Sequence, residues 1–354
     1  MTPLGQALIA RIQATGPMPL ADYMTECLLH PLHGYYATQD PFGAGGDFVT
    51  SPEISQMFGE MLGLCLAQHW LDAGSPATFT LAEFGPGRGT LMADVLRATR
   101  SVPGFQAAAS ITLLEASQKL RTVQKTCLAG HRVTWIDHAD QLPEAPLYLL
   151  ANEFFDALPI RQFTRSGDGW RETMVHTNGQ DFCFGLSDAR EVSSLTQRLA
   201  DTEHGSIVEL CDAALPIIST IGTRLARFGG LALVVDYGGW VSLGDTFQAM
   251  RGHSYVSPLA EPGLADITAH VDFAALSAAA VAAGAKTSYA TQGEVLSALG
   301  IVTRAERLAK GLEPKALQNH LSGLKRLTAS GEMGELFKML AVYPQSGPNP
   351  AGFS

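Results

Sequence analysis

Apolar residues change their period several times along this chain, and each change marks an element. Leu4, Ala7, Leu8, Ile9 and Ile12 share one helical face, and Gly16-Pro17 ends the helix they predict. A second short helix is predicted over Ala21–Leu29. Residues 30–52 then lose any period and mix Gly, Pro and aromatics, as a loop does. Ser51-Pro52-Glu53 reads as a helix start, with a capping serine, a proline in the first turn and an acid at the positive dipole end. That helix is expected to run from Ile54 to Leu71.

Short apolar runs and helical stretches alternate after this point. Strands are predicted at Phe79–Glu83, Ser110–Glu115, Arg132–Ile136, Leu147–Ala151 and Leu231–Asp236, with helices at Thr90–Arg100, Ser117–Leu128 and near Leu215–Phe228. Such alternation predicts an α/β fold with a doubly wound, mostly parallel sheet. A helix at Phe273–Ala283, helices between Glu294 and Ser330 and a last strand at Leu336–Val342 complete it. Residues 160–210 break the rhythm with short β-like pieces separated by Gly turns, and read as a β-rich insertion after the fourth strand. The organisation expected is residues 1–72 as an N-terminal helical and loop region, 73–342 as the main domain, and a loose Pro/Gly/Ser-rich tail at 343–354.

Composition narrows the class. Hydrophobic residues make up 46% of the 354 and charged residues only 16%, which favours a large core over disorder. The formal net charge of −10 lacks the basic footprint of a nucleic-acid binder. The five cysteines are scattered and odd in number, which argues against disulfides and a zinc site and suits a reducing compartment. His30 and His33 are spaced like ligands, but their Pro/Gly-rich setting reads as structural, so no metal is expected. Neither a signal peptide nor a membrane span is legible, and a cytoplasmic protein is the expectation.

The chemistry concentrates at strand ends. Glu83-Phe84-Gly85-Pro86-Gly87-Arg88-Gly89-Thr90 places a carboxylate at the end of the first strand, then a loop with Gly at alternate positions. Its glycines allow close backbone approach, and the acid suits a ligand with a positive centre and adjacent hydroxyls, as S-adenosylmethionine has. A dinucleotide loop needs G-x-G-x-x-G, but Thr90 occupies the third position; a P-loop needs a lysine that is absent. An ordinary strand-to-helix turn also fits this loop alone. Glu115 ends the second strand, where an acid can accept both ribose hydroxyls. Asp137 ends the third, at the border of an adenine pocket. Asn152-Glu153-Phe154-Phe155-Asp156-Ala157-Leu158-Pro159 follows the fourth, and two carboxylates around Phe-Phe are costly as packing alone. The aromatic and polar loop from Tyr35-Tyr36 through Asp47 to Glu53 can cover a ligand.

Taken together, Tyr35-Tyr36, Gly46–Glu60, Glu83–Thr90, Ala151–Pro159, Val235-Asp236-Tyr237-Gly238 and Thr268–Phe273 resemble the MidA family over nearly the whole chain. The resemblance implies a class I S-adenosylmethionine-dependent methyltransferase fold. It also implies methyl transfer to an arginine of a respiratory complex I subunit of the 49 kDa type, in support of assembly, with S-adenosylhomocysteine as product. It puts Glu83, Gly85, Pro86, Gly87, Gly89, Thr90, Glu115, Asp137, Asn152, Thr50 and Ser51 on the cofactor. Glu153, Asn152 and Asp156 fall to catalysis, and Tyr36, Asp47, Glu53 and Pro159 to the acceptor. An assembly chaperone that binds cofactor without chemistry, and a methyltransferase acting on a small molecule or RNA, remain alternatives. The oligomeric state stays open, a homodimer included.

Overall fold

The computed structural model describes residues 1–39 and 50–353. They divide into two compact units, taken in turn.

The first unit comprises residues 50–155, 215–238 and 273–353. Its sheet is built from β1 (Phe79–Phe84), β2 (Ala109–Leu114), β3 (Val133–Ile136), β4 (Leu147–Asn152), β5 (Gly230–Gly239), β6 (Ala285–Thr291) and β7 (Phe337–Pro344). These lie side by side as β6-β7-β5-β4-β1-β2-β3. All neighbours from β5 to β3 are parallel, and β7 runs antiparallel to both β5 and β6. The central strands are apolar on both faces, and Leu231, Ala232, Leu233 and Val234 are wholly buried, as a sheet covered on both sides requires. Strand order reverses between β1 and β4, so the crevice at their carboxyl ends is the topological switch point where such sheets bind ligands. In register, Phe84 of β1 faces Ala151 of β4. The segments that follow, Gly85–Gly89 and Asn152–Phe155, therefore leave the sheet side by side.

Helix α1 (Gln56–Asp72) packs on α2 (Thr90–Thr99), the helix that follows the glycine loop. The approach is close because α1 offers glycine. A Cβ on Gly59 would stand 2.6 Å from the Asp94 Cβ, and one on Gly63 would stand 2.9 Å from the Val95 Cα. Polar groups clamp the same helices. Buried Glu60 accepts from Arg97 at 3.1 Å and from Arg304 at 2.7 and 3.0 Å, while Arg97 also reaches Asp94 at 2.6 Å.

Three readings change here. The helix expected from Ile54 to Leu71 is interrupted: Ser51–Ile54 makes one turn, Ser55 is extended, and its hydroxyl accepts from Met57 N at 3.2 Å to start α1. A serine that caps competes with the helix running through it. Thr50, not Ser51, stands at the cap position of that first turn. The tail expected to be loose is held. β7 runs on to Pro344, Cys65 Sγ donates to Ala351 O at 3.4 Å, His69 Nε2 lies 3.3 Å from Pro348 O, and Phe353 packs on the core.

The second unit comprises residues 1–39, 156–214 and 239–272, so the N-terminal helices group with the insertion rather than with residues 50–72. Its main sheet centres on Gly169–Thr177, paired antiparallel with Arg161–Ser166, Phe182–Leu186 and Met18–Pro19; Ile207–Leu210 pairs with Arg161–Ser166. A three-stranded sheet of Gln248–Arg251, Ser254–Val256 and Asp266–Thr268 accompanies it. Leu4, Leu8, Ile12, Tyr23, Met24 and Leu28 of the helices Pro3–Thr15 and Leu20–Leu29 share one core with Ile160, Val175, Ala249 and Ile267.

The α1–α2 contact gives a stability prediction. Gly63→Val forces a branched side chain against the Val95 backbone, and we expect a loss of about 1–3 kcal/mol. Urea unfolding checks it, and an unchanged midpoint would contradict this packing.

Candidate active site

Glu83 occupies the penultimate position of β1 and is 2% exposed. The Met92 backbone N–H donates to its carboxylate, and Glu83 Oε2 has no hydrogen-bond partner among the described residues. Burial pushes its pKa up to about 8, and the nearby negative Glu115 adds to the rise. A carboxylate so placed is unfinished: it calls for donors from a bound molecule.

The loop after it is shaped by backbone conformation. Gly85, Gly87 and Gly89 have φ of 63°, 52° and 86°, a region L side chains rarely adopt. A Cβ on Gly85 would also lie 3.1 Å from the Phe154 ring. Gly89 stands at the cap of α2, and the amides of the following turn open toward the loop. Pro86 O accepts from Gly89 N at 2.7 Å. Thr90 begins α2, and its hydroxyl donates to Glu53 at 2.7 Å, which links the loop to the turn Ser51–Ile54. Thr50 and Ser51 are buried there, and Ser51 Oγ lies 3.4 Å from Gln292 Oε1.

Glu115 follows β2 and is buried. One oxygen accepts from Ser117 N at 2.8 Å and the other from Gln124 Nε2 at 3.0 Å. Burial raises its pKa despite these donors. The Ala116 backbone N–H also donates to this carboxylate, which has acceptor sites for about four donors. Asp137 follows β3 with an exposed side chain that pairs with Arg121 at 2.5 Å. Its backbone N–H donates to Gln141 at 2.7 Å, so local partners already engage it.

At the end of β4, Asn152 is 9% exposed, and its Nδ2 donates to Glu153 Oε1 at 3.0 Å. Asn152 Oδ1 is buried with no partner among the described residues. Glu153 has φ of 51°, a left-handed conformation uncommon for glutamate. Its N–H stays tied to Val235 O at 2.9 Å. Asp236, wholly buried on β5, accepts from Phe155 N at 3.0 Å and anchors the chain beyond this kink. The Phe154 ring packs against Phe84, at 5.5 Å between centroids.

The sheet thus brings together Glu83, the three glycines, Thr90, Glu115, Asn152 and Glu153, with Glu53 attached through Thr90. Pro86, Asp137, Thr50 and Ser51 also belong to this unit, whereas Tyr36, Asp156 and Pro159 belong to the second. There Asp156 is buried, and Ala269 N donates to its carbonyl oxygen. The Tyr36 hydroxyl donates to Asp266 at 3.2 Å; burial and the negative Asp266 and Asp156 hold its pKa well above the usual value. Pro159 O accepts from Cys211 Sγ. Asp47 lies outside the described residues. His30 and His33 stack, and His30 Nδ1 accepts from Leu32 N and His33 N, a turn-making role. Asp266 and Gln124 carried no sequence signal, since an isolated acid or amide looks alike in any element.

Residues 61–291 match a family described as "Putative S-adenosyl-L-methionine-dependent methyltransferase". Among curated proteins, the chain is similar to protein arginine methyltransferase NDUFAF7, mitochondrial. It is 38% identical to the mouse protein, over 97% of this chain and 85% of that one. It is 36% identical to the zebrafish protein over 95% and 85%, and 35% identical to the human protein over 97% and 84%. These relatives are named as mitochondrial proteins, and that overturns the expectation of a cytoplasmic one. Among solved structures, a candidate methyl transferase from Burkholderia thailandensis bound to S-adenosylhomocysteine superposes with a TM-score of 0.84 at 30% identity, covering 99% of this chain and 93% of that one. A native structure from the same organism gives 0.82 at 30% identity, with 99% and 94% covered. The unfinished Glu83 carboxylate, the glycine cradle and the buried Glu115 carboxylate suit the cation, the close approach and the hydroxyls of S-adenosylmethionine. Sheet order, site and relatives agree: this chain belongs to the family of S-adenosylmethionine-dependent methyltransferases and has the class I fold.

Proposed function

We propose that this enzyme methylates a guanidinium nitrogen of an arginine in a protein, and that Asn152 and Glu153 hold that group. The observation that carries the reading is their pairing at the end of β4: a buried amide oxygen without a partner among the described residues, beside a carboxylate held in a strained conformation. Such strain is stored where a side chain must be aimed. The relatives' named activity supplies the acceptor type. The MidA resemblance extends it to a complex I subunit of the 49 kDa type and to support of complex I assembly.

S-adenosylmethionine supplies an electrophilic methyl carbon on a positive sulfur. The chain's residues supply positioning, which accounts for much of the barrier in such transfers. Gly85–Gly89 bring the backbone against the donor. Glu83 faces its cationic or hydroxyl groups, and Glu115 takes the ribose hydroxyls. Glu153 pairs with the guanidinium, Asn152 Oδ1 accepts one N–H, and a nitrogen lone pair is thereby aimed at the methyl. The guanidinium is protonated in water at neutral pH, with a pKa of about 12.5–13.8. Glu153 is therefore also the group placed to receive the proton that leaves as the new C–N bond forms.

Two predictions follow from these roles. Glu153→Gln keeps the shape but removes the charge, and we expect methyl transfer to an isolated complex I subunit to fall about 100-fold or more. Binding of S-adenosylhomocysteine should change less than threefold. Glu153→Gly should abolish transfer while matching or exceeding the parent's melting temperature, since glycine relieves the left-handed strain. Full transfer by Glu153→Gln, read by mass spectrometry, would remove the assignment.

The second prediction concerns protons. Between pH 4.5 and about 8, folded Glu83 holds a proton that the unfolded chain has lost. Its contribution to stability therefore falls as pH rises through that window, by about 3 kcal/mol at pH 7. Donors from a bound cofactor favour the ionised form. Calorimetry at pH 7 in buffers of different ionisation enthalpy should show proton release on S-adenosylmethionine binding, and Glu83→Gln should lose it and bind at least about tenfold more weakly. Identical heats in every buffer for the parent enzyme would contradict this role.

A further inference from the structure

Gln124 lies within α3 (Gln118–Cys127) and is wholly buried. Its amide is fully used. Nε2 donates to Gly87 O at 2.8 Å and to Glu115 Oε2 at 3.0 Å, and Oε1 accepts from Trp135 Nε1 at 2.8 Å. Gly87 belongs to the loop after β1, Glu115 follows β2, and Trp135 stands on β3. One side chain therefore ties together three successive pieces of the sheet's carboxyl edge. The pattern also fixes which way the amide faces. Turned over, it would set its oxygen against a carbonyl and a carboxylate, and its NH2 against an indole N–H.

The tie has a geometric consequence. Glu115 is held at one oxygen by Ser117 N and at the other by Gln124, with the Ala116 N–H as a further donor, so its carboxylate plane is fixed. Gly87 is the middle glycine of the loop, at φ of 52°, and its carbonyl is turned away toward Gln124. That leaves the opposite side of the loop backbone for a ligand.

We propose that Gln124 is a positioning residue for the cofactor: it sets the spacing between the glycine loop and Glu115 and orients the Glu115 carboxylate toward the ribose. Trp135 supports it by locking the amide against reversal. The inference rests on the assignment of Glu115 to the ribose hydroxyls, and its test separates the two.

The test uses the full chain, with dissociation constants for S-adenosylhomocysteine measured by calorimetry from pH 6 to pH 8. Gln124→Leu keeps the volume but strips the buried Gly87 carbonyl, Glu115 oxygen and indole N–H of partners. We expect weakening of about tenfold or more at every pH. Gln124→Glu keeps the acceptor for Trp135 and sets a second carboxyl against Glu115. Its weakening should be largest at pH 8 and should shrink toward pH 6, where the two carboxyls share a proton. A role in core packing alone would lower the melting temperature without producing that pH profile. Trp135→Phe should weaken binding less than Gln124→Leu does. Glu115→Gln is the control. If it binds like the parent enzyme, the ribose assignment of Glu115 fails. If it binds weakly while both Gln124 variants stay within twofold of the parent, the Gln124 proposal alone fails. If Gln124→Leu does not fold, the pH profile of Gln124→Glu decides.

Discussion

The site is organised around a carboxylate that the fold has dried out. Glu83 stands on the middle strand of the parallel run, enclosed on both faces, with one backbone donor and a second oxygen left over. No arginine or lysine pairs with it among the described residues. The neighbouring charge is another carboxylate, Glu115, which makes ionisation harder still. An arrangement of this kind is destabilising in itself, and it persists only where the surrounding core is large enough to carry the cost.

The surroundings of Glu83 follow from that constraint. The loop beyond it carries one charged side chain, Arg88, and positive φ angles at its glycines let its backbone come close to a ligand. Three other basic groups are spent on structure. Arg97 and Arg304 neutralise Glu60 between the helices, and Arg121 pairs with Asp137 at the rim. The polar ends of β1, β2 and β4 thus keep their acceptors available, while the helices behind them are bolted together by ion pairs. On the β4 side the logic is reversed. There the backbone itself is bent, at Glu153, and Asp236 secures the chain just after the bend.

Much of this was legible in the residue pattern. The five strands from β1 to β5 were marked by apolar runs, the central ones because strands covered on both faces admit little else, and the acids at their ends stood out against that background. Other features were not legible. Strand β6, Ala285–Thr291, is half-buried and polar, and it carries no apolar run to betray it. The break at Ser55 depends on one hydroxyl choosing a backbone amide over continued helix. The excursion at residues 239–272 joins a core made by distant stretches, and its own pattern is too short to announce a sheet. The left-handed Glu153 and the bonded amide of Gln124 are tertiary facts about common residue types. The positions of Tyr36 and Asp156 beside Asp266 likewise depend on chain segments far apart in sequence.

The smaller unit's discontinuity bears on how this protein is born. The apolar faces of Pro3–Thr15 and Leu20–Leu29 find their last partners, Ile267 and Ala269, only after most of the chain exists. At typical synthesis rates of about 5–20 residues per second, the wait is roughly ten to fifty seconds. During that interval the strands that will cover those helices have yet to leave the ribosome. The sheet of the larger unit is also split by two excursions, yet β1 to β4 are contiguous and can begin pairing early. Strands β1 to β4 have their partners early, whereas Pro3–Thr15 and Leu20–Leu29 wait for residues 265–269 and need shelter on a nascent chain until those arrive.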